Sequence, residues 1–235
     1  MSTRSALVIV AHPDDADFGA AGTLATWADD GWDITLVCVT RGDAGGVDAV
    51  ERDTMPRIRE AEQRAAADIV GVSRVLFLEG YRDGHVEPSR DLQRDLVRII
   101  RQIQPDRVLL QSPERWYDFL HASHPDHLAA GEAAMRAIYP AAENPHAFPE
   151  LLEEGLTRFV VPEIWLMAHP SANEYVDITD TFERKIAALK AHESQTGHLG
   201  DRLEANLRQG GVRMATEAGL PDGHVAERFY RIKML

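Results

Sequence analysis

The sequence predicts an α/β protein: a Rossmann-like, mostly parallel sheet with flanking helices and its active site at the carboxyl ends of the strands. Three observations carry this reading. Short apolar runs alternate along the first half of the chain with segments whose apolar residues recur at helical spacing. The apolar runs lack the in-out alternation of a half-solvated strand, as expected for strands covered on both faces. Two clusters of histidine and aspartate follow such runs, at the strand ends where this architecture binds its ligands.

The elements follow in order. Residues 6–11 (ALVIVA) read as the first strand and 19–29 as a helix, with Gly19 and Gly22 spaced to let it lie close to the sheet. Residues 34–39 form the second strand. Residues 55–70 form a helix with Pro56 in its first turn, where a missing N–H costs nothing. Residues 75–78 are the third strand, and Leu92, Leu96, Ile99, Ile100 and Ile103 mark one face of the next helix. Residues 108–111 are the fourth strand and 125–139 a helix. Such βαβ units close with right-handed crossovers. Residues 139–154 are proline-rich and read as a surface excursion. Residues 159–168 return as a strand, and Pro162 inside it points to an edge strand or a bulge. Residues 179–192 are a helix, and the rest reads as helical and then irregular. The pattern is that of one domain over residues 1–235, its part beyond about residue 140 forming substrate loops and a helical tail.

Composition narrows the function classes. With 25 basic against 38 acidic residues the net charge is −13, which repels phosphate backbones and anionic lipid. Neither nucleic acid nor a membrane surface is the expected partner; a small molecule is. The hydrophobic share of 44% can fill a sizeable core. The single cysteine, Cys38, lies in a strand-like apolar run and reads as a buried thiol in a reducing compartment. No apolar run approaches the roughly 18 to 20 residues of a spanning helix, and the first strand begins too early for a signal peptide. The expected location is the cytoplasm. Monomer and homo-oligomer both stay open.

The chemistry is concentrated in the two clusters. His12-Pro13-Asp14-Asp15 directly follows the first strand. Two adjacent carboxylates repel each other and together stabilise a cation. Imidazole plus carboxylate suits zinc. The plainer alternative is that Asp14 or Asp15 caps the following helix. His124-Pro125-Asp126-His127 follows the fourth strand after a loop and opens the next helix. An aspartate beside two histidines can orient an imidazole by accepting its N–H. Together the clusters hold the donors and acid–base groups of a metallohydrolase. The G-x-G-x-x-G of a dinucleotide site is missing after the first strand, and no G-x-S-x-G serine elbow occurs.

At these residues the chain resembles the LmbE-like, or PIG-L, family of zinc-dependent N-acetylglucosamine deacetylases, which includes enzymes of mycothiol and bacillithiol biosynthesis. The resemblance runs over most of the chain. It rests on AHPDD (Ala11 to Asp15), a glycine-rich loop from Thr40 to Gly45, R-x-x-E (Arg59, Glu62) ahead of Gly71-Val72, the turn Tyr81-Arg82-Asp83-Gly84, HPDH (His124 to His127), and K-x-x-A-L-x-x-H-x-S-Q from Lys185 to Gln195. It implies that Zn2+ is held by His12, Asp15 and His127. Asp14 would be the general base, His124 would stabilise the oxyanion or protonate the leaving amine, and Asp126 would orient a histidine. Arg59 and Asp83 would contact substrate or shape the site. The implied reaction removes an acetyl or other acyl group from the amide nitrogen of an N-acetyl amino sugar. The alternatives are an amidase acting on a thiol–sugar conjugate and a non-catalytic zinc- or sugar-binding protein. Two positions depart from the common pattern. Ala16-Asp17 stands where many members have glutamate directly after the second aspartate, and Ala122 stands where mycothiol-type members have tyrosine. For His192, reaching the site and packing at a helix end are left as equal alternatives.

Overall fold

The computed structural model describes residues 3–45 and 53–234. The elements run β1 (Ser5–Val10), α1 (Asp15–Asp29), β2 (Asp33–Cys38), α2 (Met55–Val70), β3 (Arg74–Phe77), α3 (Arg90–Ile103), β4 (Arg107–Gln111), α4 (Pro125–Arg136), α5 (Pro149–Glu153), β5 (Glu163–Met167), β6 (Glu174–Asp177), α6 (Phe182–Ala191), α7 (Glu193–Thr196), α8 (Asp201–Glu217) and β7 (Ala226–Lys233). The strands form a sheet in the order β3-β2-β1-β4-β5-β7-β6. From β3 to β5 every pairing is parallel; β7 is antiparallel to both β5 and β6. The chain steps outward from β1 to β3, then crosses back to place β4 on the other side of β1. That reversal makes the crevice beyond β1 and β4 the natural ligand site.

Both sheet faces are covered, as the unalternating strands require. Leu7 and Ile9 point into one core with Leu92, Leu96 and Ile100 of α3 and Ala130 and Ala134 of α4. Ala6, Val8 and Val10 point into the other with Leu24 of α1 and Ala66 and Val70 of α2. Cys38 is buried there. At the amino end of the sheet, the Arg107 guanidinium lies 4.4 to 4.6 Å from the ring centroids of Trp27, Trp32 and Trp165.

The structure departs from the sequence expectation in four places. Helix α1 begins at Asp15 rather than at residue 19, because Asp14 takes a left-handed conformation (φ 82°) that turns the chain straight from strand into helix. The stretch 139–154 is not a simple surface excursion: Ala142, Phe148 and Leu151 are core residues, and buried Arg101 donates to the carbonyls of Ala141, Ala142 and Asn144. Strand β5 is no edge. Pro162 precedes it, and the strand is paired on both sides. Finally, the C-terminal stretch expected to be irregular forms β7, inserted between β5 and β6. Its sequence, AERFYRIK, hides this because its charges are used across the strands: Arg231 donates to Glu163 of β5 and to Glu174 of β6.

Candidate metal centre

Three segments that follow strands converge at the carboxyl edge. His12 to Asp15 follow β1, the turn at Asp83 follows β3, and His124 to His127 begin α4 after β4. The three imidazoles of His12, His124 and His127 lie 5.2 to 5.4 Å apart between ring centroids. Asp15 spans two of them. One of its oxygens is 3.0 Å from His127 Nε2; the other is 3.5 Å from His12 Nδ1 and accepts the His12 backbone N–H.

The far side of the His12 ring meets two further carboxylates. His12 Nε2 is 3.0 Å from Asp126 Oδ2 and 3.1 Å from Asp83 Oδ1. Both are themselves anchored by backbone donors: Asp126 accepts from Gly84 N (2.7 Å) and Val86 N (3.2 Å), and Asp83 from Ala44 N. Burial alone would push the His12 pKa down. The surrounding Asp126, Asp15 and Asp83 carboxylates outweigh it and push the pKa up to about 12. This is a pocket built to hold positive charge.

Among the described residues, two sets of donors converge closely enough to share a cation: His12, His124 and His127, and His12, Asp83 and Asp126. In the second set the carboxylates spend their lone pairs on backbone N–H groups and on His12 Nε2. That is the partner a metal-bound imidazole wants on its other nitrogen. The first set leaves the imidazoles of His12, His124 and His127, with the Asp15 carboxylate 3.0 Å from His127 Nε2 and 3.5 Å from His12 Nδ1, and the His127 Nδ1 side is set by the Ala122 carbonyl at 3.3 Å. Imidazole and carboxylate donors of this kind fit zinc.

Asp14 occupies the N-cap position of α1, but among the described residues its side chain makes no capping hydrogen bond, so the plain capping alternative does not describe it. A left-handed conformation costs a non-glycine residue about 1–2 kcal/mol, and neighbours hold it there. Its N–H donates to Gln63 Oε1 (2.8 Å), and Arg59 Nη2 donates to the Pro13 carbonyl (2.7 Å) and to Asp14 Oδ2 (3.3 Å). Burial and the Asp15 charge push the Asp14 carboxyl up to about 7, against the pull of Arg59. Arg59 is only 4% exposed, and it also binds the Gly42 carbonyl. Gly42 (φ 66°) has no room for a side chain beside that guanidinium. Arg59 thus lies beneath the site rather than in its wall.

His124 is exposed, and its Nδ1 accepts the Asp126 backbone N–H (3.2 Å), leaving the proton on Nε2. Burial and the neighbouring His12 and His127 lower its pKa, so the ring is neutral at pH 7. Asp15 and His127 open into a cleft of about 1000 Å³. Its walls carry Trp116, Phe119 and His121 from the loop after β4, together with Phe18, Phe182 and Met214. Tyr117 is 82% exposed and is not among the residues that line the cleft.

Sequence reasoning left out the buried partners of this site, Gln63 and Asp17, and left His192 undecided. Gln63 Nε2 donates to Asp17 Oδ2, and the fully buried His192 Nε2 contacts the same oxygen, each at 2.8 Å. The late motif was the only signal pointing to His192, and nothing in the sequence marks Gln63.

The GlcNAc-PI de-N-acetylase (PIG-L) family model matches residues 7–138. The diacetylchitobiose deacetylase of Thermococcus kodakarensis is 30% identical over 82% of this chain and 70% of its own. A probable N-acetyl-α-D-glucosaminyl L-malate deacetylase of Bacillus cereus is 30% identical over 87% and 90%. Among solved structures, the N,N'-diacetylchitobiose deacetylase of Pyrococcus horikoshii superposes with a TM-score of 0.89 at 30% identity, covering 99% of this chain and 85% of that one. The family match spans both histidine–aspartate clusters, and on this ground the chain belongs to the PIG-L (LmbE-like) family.

Proposed function

We propose that the protein is a zinc-dependent N-deacetylase that releases acetate from an N-acetyl amino sugar or its conjugate. The observation that carries this reading is Asp14: a carboxylate held uncapped and in a strained conformation beside a convergent His–Asp–His donor set. The deacetylase relatives supply the substrate class. His12 Nδ1, Asp15 and His127 Nε2 would hold the ion, and Zn2+ suits them better than a purely oxygen-liganded cation. When bound, zinc acidifies a water from about 15.7 to about 7 and polarises a carbonyl.

The chain's own residues do the rest. Asp14, with its carboxyl pushed up to about 7, takes the proton of the attacking water and can return it to the departing amine. His124, neutral and protonated at Nε2, donates to the oxyanion of the tetrahedral intermediate. Asp126 and Asp83 hold His12 in one tautomer and orientation. Arg59 acts through Asp14 and the Pro13 and Gly42 carbonyls rather than on substrate. The cleft is larger than one sugar ring needs, which suits a conjugate. The buried thiol and acidic surface suit a cytoplasmic setting.

The test is acetate release by the zinc-loaded protein from a panel of N-acetylated amino sugars, their disaccharides and their conjugates. We expect turnover of at least one of these. Asp14→Ala should lose about a hundred-fold or more in kcat, in line with loss of a general base, while keeping one zinc equivalent. Zinc binding without acetate release from any substrate would favour the non-catalytic binding protein.

A further inference from the structure

We propose that His192 is a positioning residue for Asp14, acting from the far end of the chain through Asp17 and Gln63. The inference rests on the deacetylase reading above and extends it to a residue outside the reacting groups.

Asp14 is useful as a base only while its strained backbone conformation is kept. Its N–H is held by Gln63 Oε1 at 2.8 Å. A glutamine amide has an accepting end and a donating end of nearly equal shape, so something must decide which end faces Asp14. Here Asp17 decides. Its Oδ2 accepts from Gln63 Nε2 at 2.8 Å, and a carboxylate can only accept, which turns the amide oxygen toward Asp14. The same Oδ2 receives His192 Nε2 at 2.8 Å, so that nitrogen carries the proton. His192 is 0% exposed and Asp17 and Gln63 are each 1% exposed, so water does not compete along this chain of bonds.

His192 is itself held firmly. Its carbonyl accepts from Gln195 N (2.9 Å) and Thr196 N (2.8 Å). The next turn is tied to α2, where Glu62 accepts from Ser194 N (2.8 Å) and Ser194 Oγ (2.7 Å). The R-x-x-E and H-x-S-Q segments, more than a hundred residues apart, thus meet behind the base. His192 Nδ1 has no hydrogen-bond partner among the described residues, so its tie to Asp17 is the polar contact its ring makes.

The experiment is a double-mutant cycle with kcat, KM and zinc content measured for each variant. His192→Leu should lower kcat about 10- to 100-fold, the range for partners that act through a neighbouring group, with KM and zinc within about twofold. His192→Gln, whose amide can donate to Asp17, should restore most of the rate. In an Asp14→Ala background His192→Leu should cost less than about twofold, because the base it positions is already gone. If His192→Leu leaves kcat unchanged, costs the same factor with and without Asp14, or loses zinc in step with activity, the proposal is overturned. Should the leucine variant not fold, Gln63→Met cuts the same chain and must show the same non-additivity. A wild type that binds zinc but releases no acetate would sink the deacetylase reading; an additive cycle in an active enzyme would sink this one alone.

Discussion

Asp126 shows how much of this site is built one layer behind the reacting groups. It is 1% exposed and takes two backbone N–H groups as well as His12 Nε2. Removing it would free the His12 ring to rotate and strip it of the charge that keeps its ligand nitrogen basic. Asp126→Ala should therefore weaken zinc about 10- to 100-fold, measured by competition with a chromogenic chelator; unchanged affinity would show that Asp83 alone suffices. The two clusters were legible in the sequence because several costly groups stand within four residues of each other, twice. Gln63 was not legible, since a neutral amide on a helix has no pattern to announce it. An arginine beneath a site and an arginine lining one look alike in a sequence, and the structure puts Arg59 beneath.

At the scale of elements, α1 must be both close to the sheet and correctly angled, because its first turn carries Asp15 and Asp17. Gly19 and Gly22 make the closeness, as their spacing predicts. A Cβ on Gly22 would sit 2.6 Å from Ile178 Cδ1 and 2.7 Å from Ile178 Cβ, and one on Gly19 would sit 2.5 Å from Met167 Sδ. The Gly22 N–H, with Thr23 N and Oγ1, is also tied to Glu227 of β7, which pairs with buried Lys185. Gly22→Ala should cost about 1–3 kcal/mol by overpacking. At about 2–4 °C per kcal/mol for a chain of this size, differential scanning calorimetry would register a clear fall. Gly210, inside α8 with nothing among the described residues within 4 Å of its would-be Cβ, is the control: its alanine variant should gain about 0.5–1 kcal/mol. Equal responses at the two glycines would refute the packing argument. The elements of the parallel half were legible because burial on both faces leaves pure apolar runs. Strand β7 was not, because its charged residues find partners only once the chain is folded: Arg231 on β5 and β6, Glu227 on α1 and α6.

For the whole molecule, the site works as a clasp. The donors of the proposed zinc site come from the segment that follows β1 and from the first turn of α4, and the carboxylates behind them from the turn after β3 and the start of α4. An unfolded chain does not bring these groups together, so an ion that binds them stabilises the fold by mass action: about 2.7 kcal/mol at a hundred times its dissociation constant. With about 2–4 °C per kcal/mol, zinc added to chelator-treated protein should raise Tm by about 5–11 °C. The variants then separate the roles of neighbouring residues. His127→Ala removes a donor and should abolish the zinc-dependent shift. Asp14→Ala should keep it in full, because the Asp14 carboxylate takes its hydrogen bond from Arg59 rather than from a donor residue. If Asp14→Ala lost the shift while His127→Ala kept it, the division between metal-holding and proton-transferring residues would be the reverse of the one drawn from this geometry. Asp14 would then have to be counted among the ligands.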